Sequence, residues 1–139
     1  LIQLIDADTN AFKFVIEAYN MPNKTKNQII ARISAIDYAM KEATNIPFKT
    51  LNCCREIMDL ALEAAKYGNP NSISDAGVSG EMANAGAHGA ALNVFINLKE
   101  IDDVKFCTEM NKKTHLILDE TNTLLIEIRK VVAKVINNG

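Results

Sequence analysis

The chain has 139 residues, of which 48% are hydrophobic and 23% charged, and its formal net charge is -2. This length and apolar content are typical of one folded domain with its own core, which argues against a disordered chain. The slightly negative charge, with no basic cluster interleaved with aromatic residues, argues against nucleic acid as the main partner. We see no apolar run long enough to span a membrane and no signal-peptide pattern, and we therefore expect a cytoplasmic protein.

The cysteines and histidines are too few and too irregularly placed for a disulfide framework or a metal site. Cys53 and Cys54 are adjacent, Cys107 is distant, and the chain has only two histidines. No zinc-ligand spacing is present. We expect the three cysteines to be buried or half-buried small apolar residues, and we expect no metal.

The first three predicted elements are helices over about 2–20, 26–45 and 48–67. In the first, apolar residues recur at alternating spacings of four and three, which is the pattern of an amphipathic helix. Pro47 separates the second helix from the third, because proline lacks the amide hydrogen that a helix interior needs. The seam of the first helix consists of Leu1, Ile5, Asp8, Phe12, Val15 and Tyr19.

A fourth helix is predicted over about 74–98 and a fifth over about 104–136. Every element has helical period, and no run of alternating β-branched residues indicates a strand. The sequence therefore predicts an all-α fold, an antiparallel bundle of five helices joined by short connections.

The fourth helix is unusual because small residues cover nearly every side of it. Gly77, Gly80, Gly86 and Gly89 lie in its interior, and each costs a helix roughly 1 kcal/mol relative to alanine. We expect such a helix to be central and closely surrounded by other helices or by a ligand.

Asp8 occupies a position where the seam of the first helix calls for a large apolar residue. A carboxylate in a seam is paired, neutralised by a raised pKa, or faces a polar cavity. Two interpretations stay open at this point: a buried aspartate that caps a helix or pairs with a lysine, and a carboxylate of a functional site.

Asp75 lies in the first turn of the fourth helix, where the helix dipole favours an ionised carboxylate without any ligand. By periodicity it shares one face with Ser79, Asn93 and Asn97. A row of polar side chains interrupted by a glycine is the arrangement expected where a flat ligand lies against a helix. The two asparagines could equally bond to the backbones of other helices.

Four segments resemble one known family. They are LIDADTNAF at 4–12, IPFKTL at 46–51, GNPNSISDAGVS at 68–79 and GAALNVFINL at 89–98. In order and in helix pattern they are similar to the cyclodeaminase/cyclohydrolase family, whose members are formiminotetrahydrofolate cyclodeaminases and a bacterial type of methenyltetrahydrofolate cyclohydrolase.

The resemblance implies an all-helical homodimer that acts on a tetrahydrofolate derivative, with no cofactor beyond that substrate. It also implies a further helical portion with a P-G-G-G-type segment before Leu1. On this basis residues 1–139 are expected to be the C-terminal two thirds of a longer domain.

The chemistry of the family suggests roles for the two aspartates. A carboxyl group in an apolar seam is suited to giving and accepting protons, so Asp8 is the candidate acid and base. Asp75 is the candidate anchor of the pterin ring, with Ser79, Asn93 and Asn97 as further substrate-binding residues. The alternative function is a non-catalytic or truncated helical module that only dimerises.

Overall fold

The computed structural model describes residues 1–137, and these form four α-helices with no strand among them. The helices are α1 (Ile2–Tyr19), α2 (Lys26–Tyr67), α3 (Ile73–Leu98) and α4 (Val104–Asn137). A short 3₁₀ turn over Pro70–Ser72 precedes α3. The predicted all-α class is confirmed, although the number of helices is not five.

The predicted break at Pro47 is wrong, because α2 runs through it as one helix of 42 residues. A capping box formed by Thr25 and Gln28 begins the helix. Pro47 is buried within it and removes the amide that would bond to the carbonyl of Ala43. The side chain of Asn97 on α3 donates to that carbonyl instead, at 3.3 Å, so the proline does not leave it unsatisfied.

α3 runs antiparallel to both α2 and α4. Asn97, near the end of α3, lies beside Ala43 near the middle of α2, and a side chain at Gly86, earlier in α3, would meet Cys54, later in α2. On the other flank, Gly77 faces Val132 of α4.

The buried face of α3 consists almost entirely of small residues, which let the neighbouring helices approach closely. A Cβ atom at Gly80 would lie 2.9 Å from Cδ1 of Ile128, and one at Gly77 would lie 3.3 Å from Cγ2 of Val132. The other face of α3 is exposed, so within residues 1–137 other helices do not surround it on every side, and the alternative that a ligand covers it stays a prediction. The buried residues are Ala76, Gly80, Ala83, Ala87, Ala90, Ala91, Val94 and Leu98.

α1 packs on α2 through its small side and leaves its large side uncovered. Ala11, Val15 and Ala18 are its buried residues. Of the predicted seam, only Val15 is buried, whereas Ile5 and Phe12 are 66% and 63% exposed. The periodicity of α1 is therefore confirmed, but the predicted seam faces mainly solvent in a single chain.

An ion-pair cluster holds the start of α4 against α2. Asp103 accepts a hydrogen bond from the amide of Phe106 at 3.0 Å and another from Nζ of Lys41 at 2.8 Å. Lys41 also pairs with Asp37 at 2.8 Å. The pKa of Asp103 is lowered, mainly by the hydrogen bond from Lys41 and to a smaller extent by that from the Phe106 amide. The hydrogen bond with Asp103, followed by that with Asp37, raises the pKa of Lys41.

The cysteines lie where the sequence predicted them. Cys54 is buried in the centre of the bundle, Cys53 and Cys107 are half-buried, and all three are free thiols. Cys54 belongs to a cluster with Leu51 and the alanines of α3. Their role is therefore to fill space between helices.

Candidate active site

A groove of about 470 Å³ opens between α1, α2 and α3, and we call it the Asp8 groove. The start of the chain and α1 form one wall, the Pro47 region of α2 forms another, and glycine and alanine residues of α3 form the floor. Two of the predicted site residues, Asp8 and Asn93, lie in it together. The lining residues are Leu1, Ile2, Leu4, Ile5, Asp8, Thr9, Ile46, Pro47, Thr50, Gly86, Gly89, Ala90 and Asn93.

Asp8 is exposed, so the predicted burial of this carboxyl group in an apolar seam is wrong. The side of α1 that packs on α2 is the alanine side, and Asp8 lies off it. Within residues 1–137 no group donates a hydrogen bond to the Asp8 carboxylate, and neither a cap nor a lysine pair is found. The carboxylate is therefore free to interact with a molecule in the groove.

Of the other polar side chains in the Asp8 groove, two already donate hydrogen bonds within the chain and one does not. Thr9 donates its hydroxyl hydrogen to the carbonyl of Ile5, and Thr50 donates to the carbonyl of Ile46. Their oxygen lone pairs stay available as acceptors. Asn93 is exposed, and no partner of its amide is found among the described residues. It can therefore both donate to and accept from a ligand.

Asp75 and Ser79 lie in a different groove. This second groove, of about 330 Å³, lies between α2 and the start of α3. Eighteen residues separate Asp75 from Asn93, which is about 27 Å along the helix axis at 1.5 Å per residue. One chain therefore does not bring Asp75 and Asp8 to the same ring of a ligand. The position of Asp75 in the first turn agrees with simple stabilisation by the helix dipole.

Asn97 lies in neither groove. It is half-buried and donates to the carbonyl of Ala43 at 3.3 Å. Of the two interpretations left open for the asparagines, the bond to another backbone is therefore the one observed for Asn97.

Apart from Asp8 and Asn93, the lining residues of the groove were not named as site candidates from the sequence, and three of them bear on ligand binding: Thr9, Thr50 and Gly89. Thr9 and Thr50 fall inside the segments LIDADTNAF and IPFKTL, which carried the family resemblance. Gly89 is one of the interior glycines of α3. The two threonines could have been predicted because they lie in segments that resemble the family. Gly89 could have been predicted because a glycine inside a helix needs an explanation.

A larger groove lies elsewhere on the described part of the chain. It has a volume of about 650 Å³ and separates α1 from α2, with Glu17, Tyr38 and Glu42 among its lining residues. Its walls are otherwise mainly alanine and large apolar residues, and they include none of the predicted site residues. We therefore place the candidate site in the smaller Asp8 groove.

The described part of the chain contains no group of three or more His, Cys, Asp or Glu side chains that could hold a metal ion. None of the helices in residues 1–137 combines the length and the apolar character needed to cross a membrane.

Comparison with known proteins places the chain in a family. The family profile described as formiminotransferase-cyclodeaminase matches residues 1–115. The chain belongs to this family. The predicted resemblance, which was based on four short segments, is thus confirmed.

Curated relatives in the family carry two kinds of name. The chain is 40% identical over 137 residues to a methenyltetrahydrofolate cyclohydrolase of Methylorubrum extorquens, an alignment that covers 99% of this chain and 66% of that protein. It is 35% identical to a formimidoyltransferase-cyclodeaminase of Dictyostelium discoideum, over 91% of this chain and 23% of that protein. The chain therefore spans about two thirds of the length of the first relative and about a quarter of the second.

The fold also matches a solved structure of the family. The formiminotetrahydrofolate cyclodeaminase of Thermotoga maritima superposes with a TM-score of 0.82 at 23% sequence identity, over 96% of this chain and 63% of that one. At this identity the likeness shows a shared fold.

Proposed function

We propose that this protein is a tetrahydrofolate one-carbon enzyme and that it hydrolyses 5,10-methenyltetrahydrofolate to 10-formyltetrahydrofolate. The observation that carries the proposal is the 40% identity to a methenyltetrahydrofolate cyclohydrolase over 99% of this chain. The Asp8 groove supplies the place for the reaction, because it combines an unpaired carboxylate with an amide over an apolar floor.

In this proposal Asp8 is the acid and base of the hydrolysis. Water adds to the methenyl carbon while the Asp8 carboxylate accepts one of its protons. The bond from that carbon to N5 then breaks, the carbon becomes the formyl group on N10, and Asp8 returns a proton to N5. The second water proton leaves to solvent, so one water is consumed and one proton released.

Asn93 is proposed to orient the substrate. Its amide can donate to ring nitrogen and carbonyl acceptors and accept from ring N–H groups, all on the floor side of the groove. Asp75, Ser79 and Asn97 remain predicted substrate-binding residues from the sequence. Their positions in this chain support them less well than those of Asp8 and Asn93.

A second candidate is the cyclodeaminase reaction, which the family description and the cyclodeaminase relatives favour. There the imine nitrogen of the formimino group first takes one proton from solvent, N10 attacks the formimino carbon on N5, and Asp8 accepts the N10 proton. Asp8 then gives that proton to the departing nitrogen, which leaves as ammonia as its bond to the carbon breaks. Methenyltetrahydrofolate is then the product rather than the substrate. Both reactions use the same carbon and can use the same groove.

We also propose that the protein is a homodimer. The uncovered side of α1 presents Ile5 and Phe12 among other large apolar residues, and such a face on a folded protein is typical of an interface. A cytoplasmic location and the absence of a cofactor beyond the folate remain predictions of the sequence.

The test is a pair of absorbance assays on the purified protein in its full natural length. Methenyltetrahydrofolate should disappear faster than in buffer alone if the protein is a cyclohydrolase. It should instead accumulate from formiminotetrahydrofolate if the protein is a cyclodeaminase. A folded protein that accelerates neither reaction would contradict the proposal and favour the non-catalytic helical module.

A further inference from the structure

Among the residues that the structure describes, helix packing accounts for every interior glycine of α3 except Gly89. It lies in the middle of a helix that spans Ile73–Leu98, where a glycine is destabilising relative to alanine. A glycine at such a position is explained if even the methyl group of alanine would be unfavourable there.

The other interior glycines have such a reason inside the chain. A Cβ atom at Gly77 or Gly80 would press on the side chains of α4, and one at Gly86 would lie 3.1 Å from Sγ of Cys54. At Gly89 the same atom would meet nothing within 4 Å among the residues that the structure describes. Packing between helices therefore does not exclude a side chain here.

The space beside Gly89 is the Asp8 groove. Gly89 lines it together with Gly86 and Ala90, and the polar groups of Asp8 and Asn93 belong to the same lining. A side chain at Gly89 would therefore project from the floor of the groove into the volume that a ligand would fill. Helix backbone without a side chain offers a bound molecule a closer approach than any other residue allows.

We infer that Gly89 is a specificity-determining residue, whose missing side chain lets the flat pteridine ring of the folate lie directly against the backbone of α3. The inference rests on the proposed function, because it takes the folate as the occupant of the groove. The ring is planar, so its face needs a floor without projections. Its polar edge then lies within the same groove as Asp8 and Asn93.

The experiment is a size series at Gly89 with a matched control one turn earlier. Gly89→Ala and Gly89→Leu are compared with Ala85→Leu, since Ala85 is exposed on the same helix and lines none of the grooves described above. Binding of tetrahydrofolate is measured by calorimetry, folding by circular dichroism with Tm, and association by sedimentation, all on the full-length protein.

We expect Gly89→Ala to raise Tm, because alanine is the better helix former, and at the same time to weaken tetrahydrofolate binding at least tenfold. Gly89→Leu should weaken binding further, and Ala85→Leu should bind like the unaltered protein. In turnover, the Gly89 series should raise KM more than it lowers kcat.

Three results would overturn the inference. If the unaltered protein binds no tetrahydrofolate, the proposed function falls and the inference falls with it. If the unaltered protein and Gly89→Leu bind equally well, only the role of Gly89 is wrong. If Gly89→Leu abolishes association while each copy still binds tetrahydrofolate, the floor is covered by a second copy and not by the folate.

Discussion

Asn97 on α3 supplies the hydrogen bond that Pro47 removes from α2. Pro47 has no amide hydrogen to donate to the carbonyl four residues earlier, that of Ala43, and Nδ2 of Asn97 donates to it at 3.3 Å. The pair explains how a 42-residue helix contains a buried proline. It also ties α3 to the part of α2 that forms one wall of the Asp8 groove.

Asn97→Ala should destabilise the fold by about 1 kcal/mol, because the Ala43 carbonyl would lose its donor in a half-buried place. In a Pro47→Ala background the restored amide can bond to that carbonyl, so the same substitution should have a much smaller effect. Urea unfolding of the four proteins gives this double-mutant cycle. Equal effects in both backgrounds would show that Asn97 does not act through the carbonyl.

Gly80→Ala should destabilise the protein, although alanine is the better helix former. The new Cβ atom would lie 2.9 Å from Cδ1 of Ile128, a fully buried side chain with little room to move. Overpacking of this kind typically costs about 1–3 kcal/mol, which exceeds the roughly 1 kcal/mol gained in helix propensity.

Ile128→Val should relieve that clash, because valine lacks the Cδ1 atom. Combined with Gly80→Ala, it should recover part of the stability that the glycine substitution loses. Thermal unfolding of both single variants and of the double variant measures this. A double variant whose effects are simply additive would argue that the α3–α4 approach is looser than described.

Stability should fall on acidification in a way that depends on Asp103. The Lys41 hydrogen bond lowers the pKa of Asp103 in the folded protein, so the unfolded chain binds the proton more readily. The contribution is fully present above the ordinary aspartate pKa of about 4 and is lost as the pH falls through the lower folded value.

Asp103→Asn keeps a side chain that can cap α4 but removes the titrating group. Its unfolding free energy, measured in denaturant between about pH 2 and pH 6, should therefore fall less steeply with acid than that of the unaltered protein. Identical slopes would mean that the ion pair does not form in solution. At high pH the raised pKa of Lys41 predicts the mirror effect, with stability lost as the pH rises through the folded value.

The uncovered side of α1 should mediate association. Phe12→Arg places a charge on that face and should shift the protein toward the monomer in sedimentation at micromolar concentration. Ile126→Arg, at an exposed position of α4 with 66% exposure, is the control and should leave the association state unchanged. Dimers that persist in Phe12→Arg would place the interface elsewhere.

The sequence predicted three of the four helices nearly to the residue, since their apolar period and capping residues are local signals. It failed at Pro47, because the donor that lets α2 continue comes from Asn97, fifty residues away in the chain. Periodicity showed that α1 has an apolar side. It did not show that the alanine side of α1 would pack against α2, which leaves Asp8 exposed to solvent. Periodicity likewise placed Asp75 and Asn93 on one face without regard to their separation of about 27 Å along the axis.

The most direct test of the account is turnover of methenyltetrahydrofolate or formiminotetrahydrofolate by Asp8→Asn, with Asp6→Asn as the matched control, because Asp6 is exposed on the same helix and lines none of the grooves described above. Loss of a general acid and base typically lowers the rate by about 10²–10⁴-fold. We predict a fall of that size in kcat for Asp8→Asn, with tetrahydrofolate binding retained, and near-normal turnover for Asp6→Asn. Full turnover by Asp8→Asn would contradict the assignment of the active site to the Asp8 groove.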